Sequence, residues 1–440
     1  MDRFLNAEIW RESADRSKRV FLFLQGPCSP FLGRLADRLV AEGHEVRKVN
    51  FNAGDVVYWA PRPAANFRDP LEALPDFLDT LYAKQGVTDL VVFGDCRAVH
   101  RPAIALARSR GVRTHVFEEG YFRPFWVTLE REGVNAHSLL PRDPDWYREV
   151  GQHLPNTRRG EPFVLPFRVR AMHDVAYHAA GALNPVLFPH YRNHQPVNAA
   201  LQYAGYMRRL PTLRFHERRD NRVTDTLLRE RVPYYLLPLQ MNGDAQILDH
   251  SVFCDMDHVM EEVMASFARH APGDARLVIK NHPLDYGLDP HARQIARLSR
   301  QFGLDGRVHY METGDLRALA ENARGTVTVN STVGSVAMGH GCPTICLAEA
   351  IYDLPGLTFQ GSLDAFWREG EAPDAGLFRV FRNTLIHLTQ VNGGFFSSGG
   401  IELALKNALP RLLASRSPFE EIAHASRIEL AGKDRRRAVA

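Results

Sequence analysis

From residue 20 onward, short apolar runs alternate with stretches whose apolar positions recur every three or four residues. Residues 20–24, 46–51, 90–93 and 114–117 read as buried strands. Between them, residues 31–41 carry Phe31, Leu32, Leu35 and Leu39 on one helical face, and residues 70–84 follow the same period. A second series of strands is predicted at 234–239, 277–279, 308–310, 326–329 and 344–347, separated by helices at 256–268, 291–301 and 315–322. Strands that alternate with helices predict parallel sheets covered by helices on both faces, so the expected class is α/β.

The segment from Arg168 to Arg231 follows neither series. It holds 11 Arg and no Lys against five acids, interleaved with Tyr177, Phe188, Tyr191, Tyr203, Tyr206 and Phe215. With 440 residues, two hydrophobic cores are expected rather than one. The expected division is 1–165, an N-terminal α/β lobe; 166–231, an Arg- and aromatic-rich connector; 232–365, a second α/β lobe; and 366–440, helices to about Leu413 followed by a polar tail.

A formal charge of +3 argues against a general nucleic-acid binder. The five cysteines have no paired metal spacing and are expected to be reduced thiols. The first residues lack the basic and then apolar pattern of a signal peptide, and no window approaches 18 uninterrupted apolar residues. A cytoplasmic protein, with peripheral membrane attachment left open, is the expectation.

Ligands of open parallel sheets bind outside the carboxyl ends of the strands. The unusual polar residues fall there. Gln25 follows the first strand, Asn52 and Asp55 the second, Gly94 and Asp95 the third, and Glu118 and Glu119 the fourth. In the second series the same place is taken by Gln240, by Lys280-Asn-His282-Pro283, by Glu312 and by Asn330-Ser331-Thr332. Two such rims predict two Rossmann-like lobes facing across a cleft. Lys280 and His282 suit a phosphate's charge, and the hydroxyls and N–H groups at Ser331 and Thr332 either cap a helix or hold an anion. Glu118 and Glu119 should point to opposite faces of their strand, one to the cleft and the other to Arg123. A cleft carboxylate can serve as general base or nucleophile at a sugar carbon. Asp255-Met-Asp257 has the look of a metal motif, but its place before an apolar helical run makes it a helix start.

Taken in order, Phe21-Leu-Phe-Leu-Gln-Gly-Pro27, Val49-Asn-Phe-Asn-Ala-Gly-Asp55, Phe117-Glu-Glu-Gly-Tyr-Phe-Arg-Pro124, Thr128-Leu-Glu-Arg-Glu-Gly-Val-Asn135, Pro238-Leu-Gln240, Lys280-Asn-His-Pro283 and Asn330-Ser331-Thr332 resemble the capsule polysaccharide biosynthesis proteins of the KpsS and LipB type. The resemblance covers most of the chain from Val20 to about Asp353. It implies a GT-B-like retaining glycosyltransferase that moves β-Kdo (3-deoxy-D-manno-oct-2-ulosonic acid) from CMP-β-Kdo to a phosphatidylglycerol-type lipid, starting the linker of a bacterial capsule. In related Kdo transferases the His-Pro motif and a Ser/Thr helix start hold CMP. This maps to His282, Pro283, Ser331 and Thr332, with Lys280 and Asn330 beside them. The paralogous Glu-Asp-Gly motif maps its Asp to Glu119, the expected catalytic carboxylate, with Glu118 and Gln25 in the same set. Gln240, Asp244, Asn52, Asp55 and Arg123 are expected to position the sugar or acceptor.

No cofactor or catalytic metal is expected. The implied partners are the nucleotide sugar, an anionic lipid acceptor, the inner face of the inner membrane and other capsule synthesis and export proteins, with no nucleic acid. The Arg-rich segment is either a docking surface for an anionic bilayer or an inter-lobe connector. Rival readings are a transferase of the same fold with another nucleotide donor, or a non-catalytic capsule assembly or export component.

Overall fold

A computed structural model describes residues 18–157, 159–193, 197–243, 245–248 and 251–425. The chain forms two compact units, Met1–Pro141 with Glu149–His194 and Arg382–Ala440, and Arg142–Arg148 with Gln195–Phe381.

Among the described residues of the first unit the strands are β1 (Val20–Phe23), β2 (Glu45–Asn50), β3 (Ala65–Asn66), β4 (Asp89–Phe93), β5 (Arg113–Glu119) and β6 (Trp126–Arg131). The second unit supplies β7 (Tyr234–Pro238), β8 (Arg276–Lys280), β9 (Val308–Met311), β10 (Gly325–Thr328) and β11 (Thr344–Cys346), and β12 (Gln390–Asn392) belongs again to the first. The two sheets run β12-β6-β5-β4-β1-β2-β3 and β11-β10-β7-β8-β9. Each contains a parallel run in which the first strand is central, β1 between β2 and β4 and β7 between β8 and β10. That order places a topological switch between β1 and β4 in one unit and between β7 and β10 in the other. The expected Rossmann-like character of both units is present.

Alternation along the strands explains the layers. Phe21 and Phe23 enter one core with Phe31, Leu35 and Leu39, while Leu22 and Leu24 enter another with Leu78, Leu90 and Ile104. In the second unit, Tyr235 and Leu237 pack with Val259, Val263 and Phe267, while Tyr234 and Leu236 pack on the opposite face with Val278, Leu319 and Ala337. Nine strands and the helices Phe31–Ala41 and His291–Gln301 match their predicted positions.

The expected division differs in two places. The segment 166–231 is divided between the units: the helix Phe167–Gly181 belongs to the first and Ala199–Arg229 to the second. The segment after residue 366 is also not one helical extension. Its helices Leu363–Glu369 and Ala375–Thr389 are followed by β12, which pairs antiparallel with β6, and by Ser398–Leu413. The helix Ser398–Leu413 carries Ile401, Ala404, Leu405, Ala408 and Leu412 at helical spacing into the core around Phe21 and Phe31.

Gln390 explains why so short a strand is held. Its Oε1 accepts from the Tyr121 N–H at 2.9 Å, and its Nε2 donates to the hydroxyls of Thr128 at 3.0 Å and Thr389 at 2.9 Å. This buried amide therefore fixes the turn that follows Glu118 and Glu119. Replacing it by Leu removes the acceptor of the buried Tyr121 N–H, at about 1–3 kcal/mol, while the Thr128 and Thr389 hydroxyls still donate to the carbonyls of Glu119 and Leu385. Gln390→Leu is expected to lower the urea midpoint of the first unit's transition; an unchanged midpoint would remove Gln390 as the brace of that turn.

Candidate functional site

At the β1/β4 switch of the first unit, the rim residues are tied to one hydroxyl. Tyr177, on the inward face of the helix Phe167–Gly181, donates to Asp55 Oδ1 at 2.9 Å and accepts from Asn52 Nδ2 at 2.7 Å and Gln25 Nε2 at 3.2 Å. Gln25 Nε2 also donates to Tyr191 Oη at 3.1 Å. Asn52 caps the helix Ala53–Trp59 by accepting from the Asp55 N–H, and Asp55 Oδ2 accepts from the Phe51 N–H. A Cβ on Gly54 would lie 2.6 Å from the Tyr177 ring, so the close approach requires glycine. Gln25, Asn52 and Asp55, expected to touch sugar or acceptor, are brought together, but their polar atoms are spent largely on positioning this helix.

The two carboxylates that end β5 diverge. Glu118 packs against the end of β4: its Oε2 lies 3.0 Å from where Gly94 would carry a Cβ, and Gly94 itself has φ +70°, open to glycine at little cost. Burial pushes the Glu118 carboxyl up to about 7, against the Glu119 N–H that donates to it at 2.9 Å, and the neighbouring Glu119 charge adds to the rise. A carboxyl poised near neutrality at a strand end is suited to proton transfer. Glu119 turns the other way, with its Oε1 3.4 Å from Arg170 on the helix Phe167–Gly181. Arg170 also lies 4.6 Å over the Phe396 ring. The pairing expected for Arg123 is thus taken by Arg170, while Arg123 Nε donates to the Gly120 carbonyl at 3.4 Å.

In the second unit the switch is closed by two amides. Gln240 Nε2 donates to Asn330 Oδ1 at 3.1 Å and its Oε1 accepts from the Asn330 N–H at 3.4 Å. Gln240 therefore stands with the expected nucleotide residues. The Ser331 N–H donates to Thr328 Oγ1 at 3.2 Å, and the Val333 N–H to Ser331 Oγ at 3.3 Å. The helix opened by this turn, Val333–Gly339, has seven residues. The N–H groups at this helix start are less available to an anion than the sequence pattern implies, because the Thr328 and Ser331 hydroxyls already accept from those of Ser331 and Val333. Asp244 lies outside the described residues.

Anion chemistry rests more on the loop after β8. Lys280 is buried, and its ammonium is held below the ordinary lysine range by burial and then by Arg209. The Leu284 N–H donates to His282 Nδ1 at 3.1 Å. A nitrogen that accepts carries no proton, so the neutral ring bears its proton on Nε2 as a donor. Exposed Pro283 follows.

What holds this loop lies inside the Arg-rich segment and has no local sequence signal. Arg209, buried on the helix Ala199–Arg229, donates to the carbonyls of Pro283 at 3.3 Å and of Asp285, and to Glu312 Oε2 at 3.0 Å. Glu312 also accepts from Asn281 Nδ2 at 3.0 Å and the Tyr310 hydroxyl at 2.9 Å. Burial raises the Glu312 carboxyl, but the hydrogen bonds from Asn281 and Tyr310 and the Arg209 charge outweigh it and hold the group below its ordinary range. Asp220, buried on the same helix, accepts from the Glu312 and Thr313 N–H groups at 2.9 Å each.

Among the described residues three clusters have metal-ligand chemistry: Cys28/Asp174/His178, Asp95/Cys96/His137 and Asp285/Asp289/His291. Burial and nearby carboxylates push the Cys28 thiol up to about 12, which keeps its proton on. Asp95 already accepts from the Val134 N–H and lies 3.0 Å from His137 Nδ1. In the third, the buried nitrogen without a hydrogen bond is His291 Nδ1, which lies 3.9 Å from Asp257, whereas Nε2 is 3.8 Å from Asp285. Asp255 caps the helix Met256–His270, as its sequence position predicts. A small cavity lined by His115, Glu130, Arg131 and Arg411 lies at the opposite end of β5 from the carboxylates.

Removing one partner of a buried ion pair costs about 3–5 kcal/mol. Arg209→Met is therefore expected to lower the unfolding midpoint of the second unit and to speed amide exchange over residues 281–287. Exchange as slow as in the unsubstituted chain would show that the loop does not depend on Arg209.

Residues 88–396 match the family described as capsule polysaccharide biosynthesis protein. The chain is 36% identical to the capsule polysaccharide export protein KpsS of Escherichia coli over 86% of this chain and 97% of that one. It is 35% identical to the capsule polysaccharide modification protein LipB of Neisseria meningitidis serogroup B over 86% of this chain and 91% of that one. A solved structure titled Thermosulfurimonas dismutans KpsC, beta Kdo 2,7 transferase, aligns at a TM-score of 0.43 and 14% identity over 89% of this chain and 99% of that one, a likeness too loose to carry function. The motifs at the strand ends and the long matches agree: the chain belongs to the capsule polysaccharide biosynthesis protein family.

Proposed function

We propose that this chain is a retaining glycosyltransferase that moves β-Kdo from CMP-β-Kdo to a phosphatidylglycerol-type lipid at the inner face of the inner membrane. The observation that supports it best is the braced loop at Lys280 and His282, a cationic, donor-bearing strand end beside a topological switch. Family membership supports a step in capsule polysaccharide synthesis. Among the described residues no helix is long and apolar enough to cross a membrane.

In this reading CMP is held by Lys280 and His282 with Asn330, Ser331 and Thr332 around it. The bond from the sugar's anomeric carbon to the phosphate oxygen breaks, and the departing CMP carries the electron pair. Ammonium and imidazole N–H groups stabilise the charge that grows on that phosphate, with no metal in the step. Glu119 attacks the anomeric carbon or steadies the positive charge that develops there, and the acceptor hydroxyl then completes the transfer with retention. Glu118 takes the hydroxyl proton. With its carboxyl near 7, it is protonated and idle below that pH and ionised and competent above it.

A second reading, a capsule assembly or export component without transfer, draws on the internal saturation of Gln25, Asn52 and Asp55. Product formation from CMP-Kdo and a fluorescent phosphatidylglycerol analogue separates the two, with product mass and anomeric configuration as readouts.

The following outcomes test the chemistry. Glu119→Ala and His282→Ala should each reduce transfer at least about a hundredfold in a folded protein; turnover like that of the unsubstituted chain in either variant rules out its role. The transfer rate should rise with pH up to about 7 and level off above it. Glu118→Gln should remove that dependence along with most of the rate, whereas a retained limb would assign the proton to another group. CMP should raise the melting temperature where UDP does not.

A further inference from the structure

The helix Phe167–Gly181 is amphipathic in the reverse sense. Its inward face is polar: Arg170 reaches Glu119, His173 Nδ1 lies 2.8 Å from the Tyr58 hydroxyl, Asp174 lies 3.7 Å from His178, and Tyr177 binds Gln25, Asn52 and Asp55. Its outward face is apolar. Arg168, Met172, Val175 and Ala179 recur at the 3.6-residue period and are all exposed, and the same stripe continues through Leu183 and Val186 beyond the helix. Met172 is 67% exposed, Val175 50%, Leu183 56% and Val186 82%, with Phe167 at 69% beside the first turn. A helix that faces only water does not keep a periodic apolar stripe outward, because the hydrophobic effect opposes it.

The charge around the stripe selects its partner. Residues 163–193 contain Arg168, Arg170 and Arg192 against one acid, Asp174; Arg170 turns inward to Glu119 and Asp174 to His178, which leaves the exposed Arg168 and Arg192. Arg168 stands in the stripe and exposed His190 and Arg192 lie beyond its far end. An apolar strip with arginine at its borders matches the acyl boundary and anionic headgroups of a bilayer. We infer that this face of the first unit, Phe167 to Val186, docks on an anionic lipid bilayer, so that the one helix presents its outer side to the membrane and its inner side to Glu119. The inference deepens the lipid-acceptor reading and rests on it for its purpose, while the contact is measured without turnover.

The test uses the full chain and flotation with vesicles of phosphatidylcholine alone or of phosphatidylcholine with phosphatidylglycerol. The unsubstituted chain should float with the anionic vesicles and lose binding as salt is raised. Substituting Met172→Ser, Val175→Ser and Leu183→Ser together should reduce partitioning at least about tenfold with an unchanged melting temperature. Val40→Ser with Val57→Ser, exposed apolar positions elsewhere in the unit, should leave binding intact. Arg168→Gln should weaken binding to anionic vesicles about fivefold. Equal flotation of the triple variant, or no flotation of the unsubstituted chain, overturns the proposal. So does a dimer in solution that the triple variant converts to monomer, since a second copy then covers the face. CMP-induced thermal stabilisation measured on the same samples keeps this outcome apart from the donor reading: either can fail while the other stands.

Discussion

The strand order reverses between β1 and β4 in the first unit and between β7 and β10 in the second, and the helices that follow the two strands of each pair cover opposite faces of the sheet. Polar side chains collect there because backbone and side-chain groups at that place are open to a ligand. Being partly buried, they also need partners within the protein. In the first unit the partners are the Tyr177 and Tyr191 hydroxyls on Gln25. In the second they are the two amides of Gln240 and Asn330, bonded to each other. The rest of the site architecture follows from how those ends are satisfied.

Satisfaction comes from far along the chain. The turn after Glu119 depends on Gln390, the Asn52 and Asp55 turn on Tyr177, and the loop after β8 on Arg209 and Asp220. These contacts differ in weight. A neutral hydrogen bond contributes about 1 kcal/mol net, whereas breaking a buried ion pair costs several times as much. The Arg209 and Glu312 pair is thus the strongest single polar tie on the loop after β8, and the exposed pairs such as Arg38 with Glu402 contribute little.

The sequence is most legible where burial is simplest. Residues such as Phe21 to Leu24 and Leu236 to Leu239 are apolar without interruption, and a parallel strand covered on both faces has that appearance. β6 is harder to see because Thr128, Glu130 and Arg131 are polar yet buried, with partners such as Gln390 and Tyr121 that no local pattern reveals. β12 is three residues long and is held by its cross-strand neighbours more than by its own composition. The candidate site is legible in position and less so in role. Strand-end spacing locates Gln25, Asn52 and Asp55, but their engagement by Tyr177 depends on a helix more than a hundred residues away. The Arg-rich segment conceals opposite uses of one residue type, since Arg209 is a buried brace while Arg168 is exposed.

The return of the chain to the first unit after residue 381 has a consequence for biosynthesis. Ile401, Ala404, Leu405 and Leu412 complete the core around Phe21 and Phe31, so an emerging nascent chain leaves that apolar face uncovered until the helix Ser398–Leu413 leaves the ribosome. By then every residue of the second unit, which ends at Phe381, has already been made. Domains fold as units during synthesis, and the order here is set by where each one is completed rather than where it begins. The unit begun second is the first able to close, and the one begun first must wait with its inner surface open to chaperones.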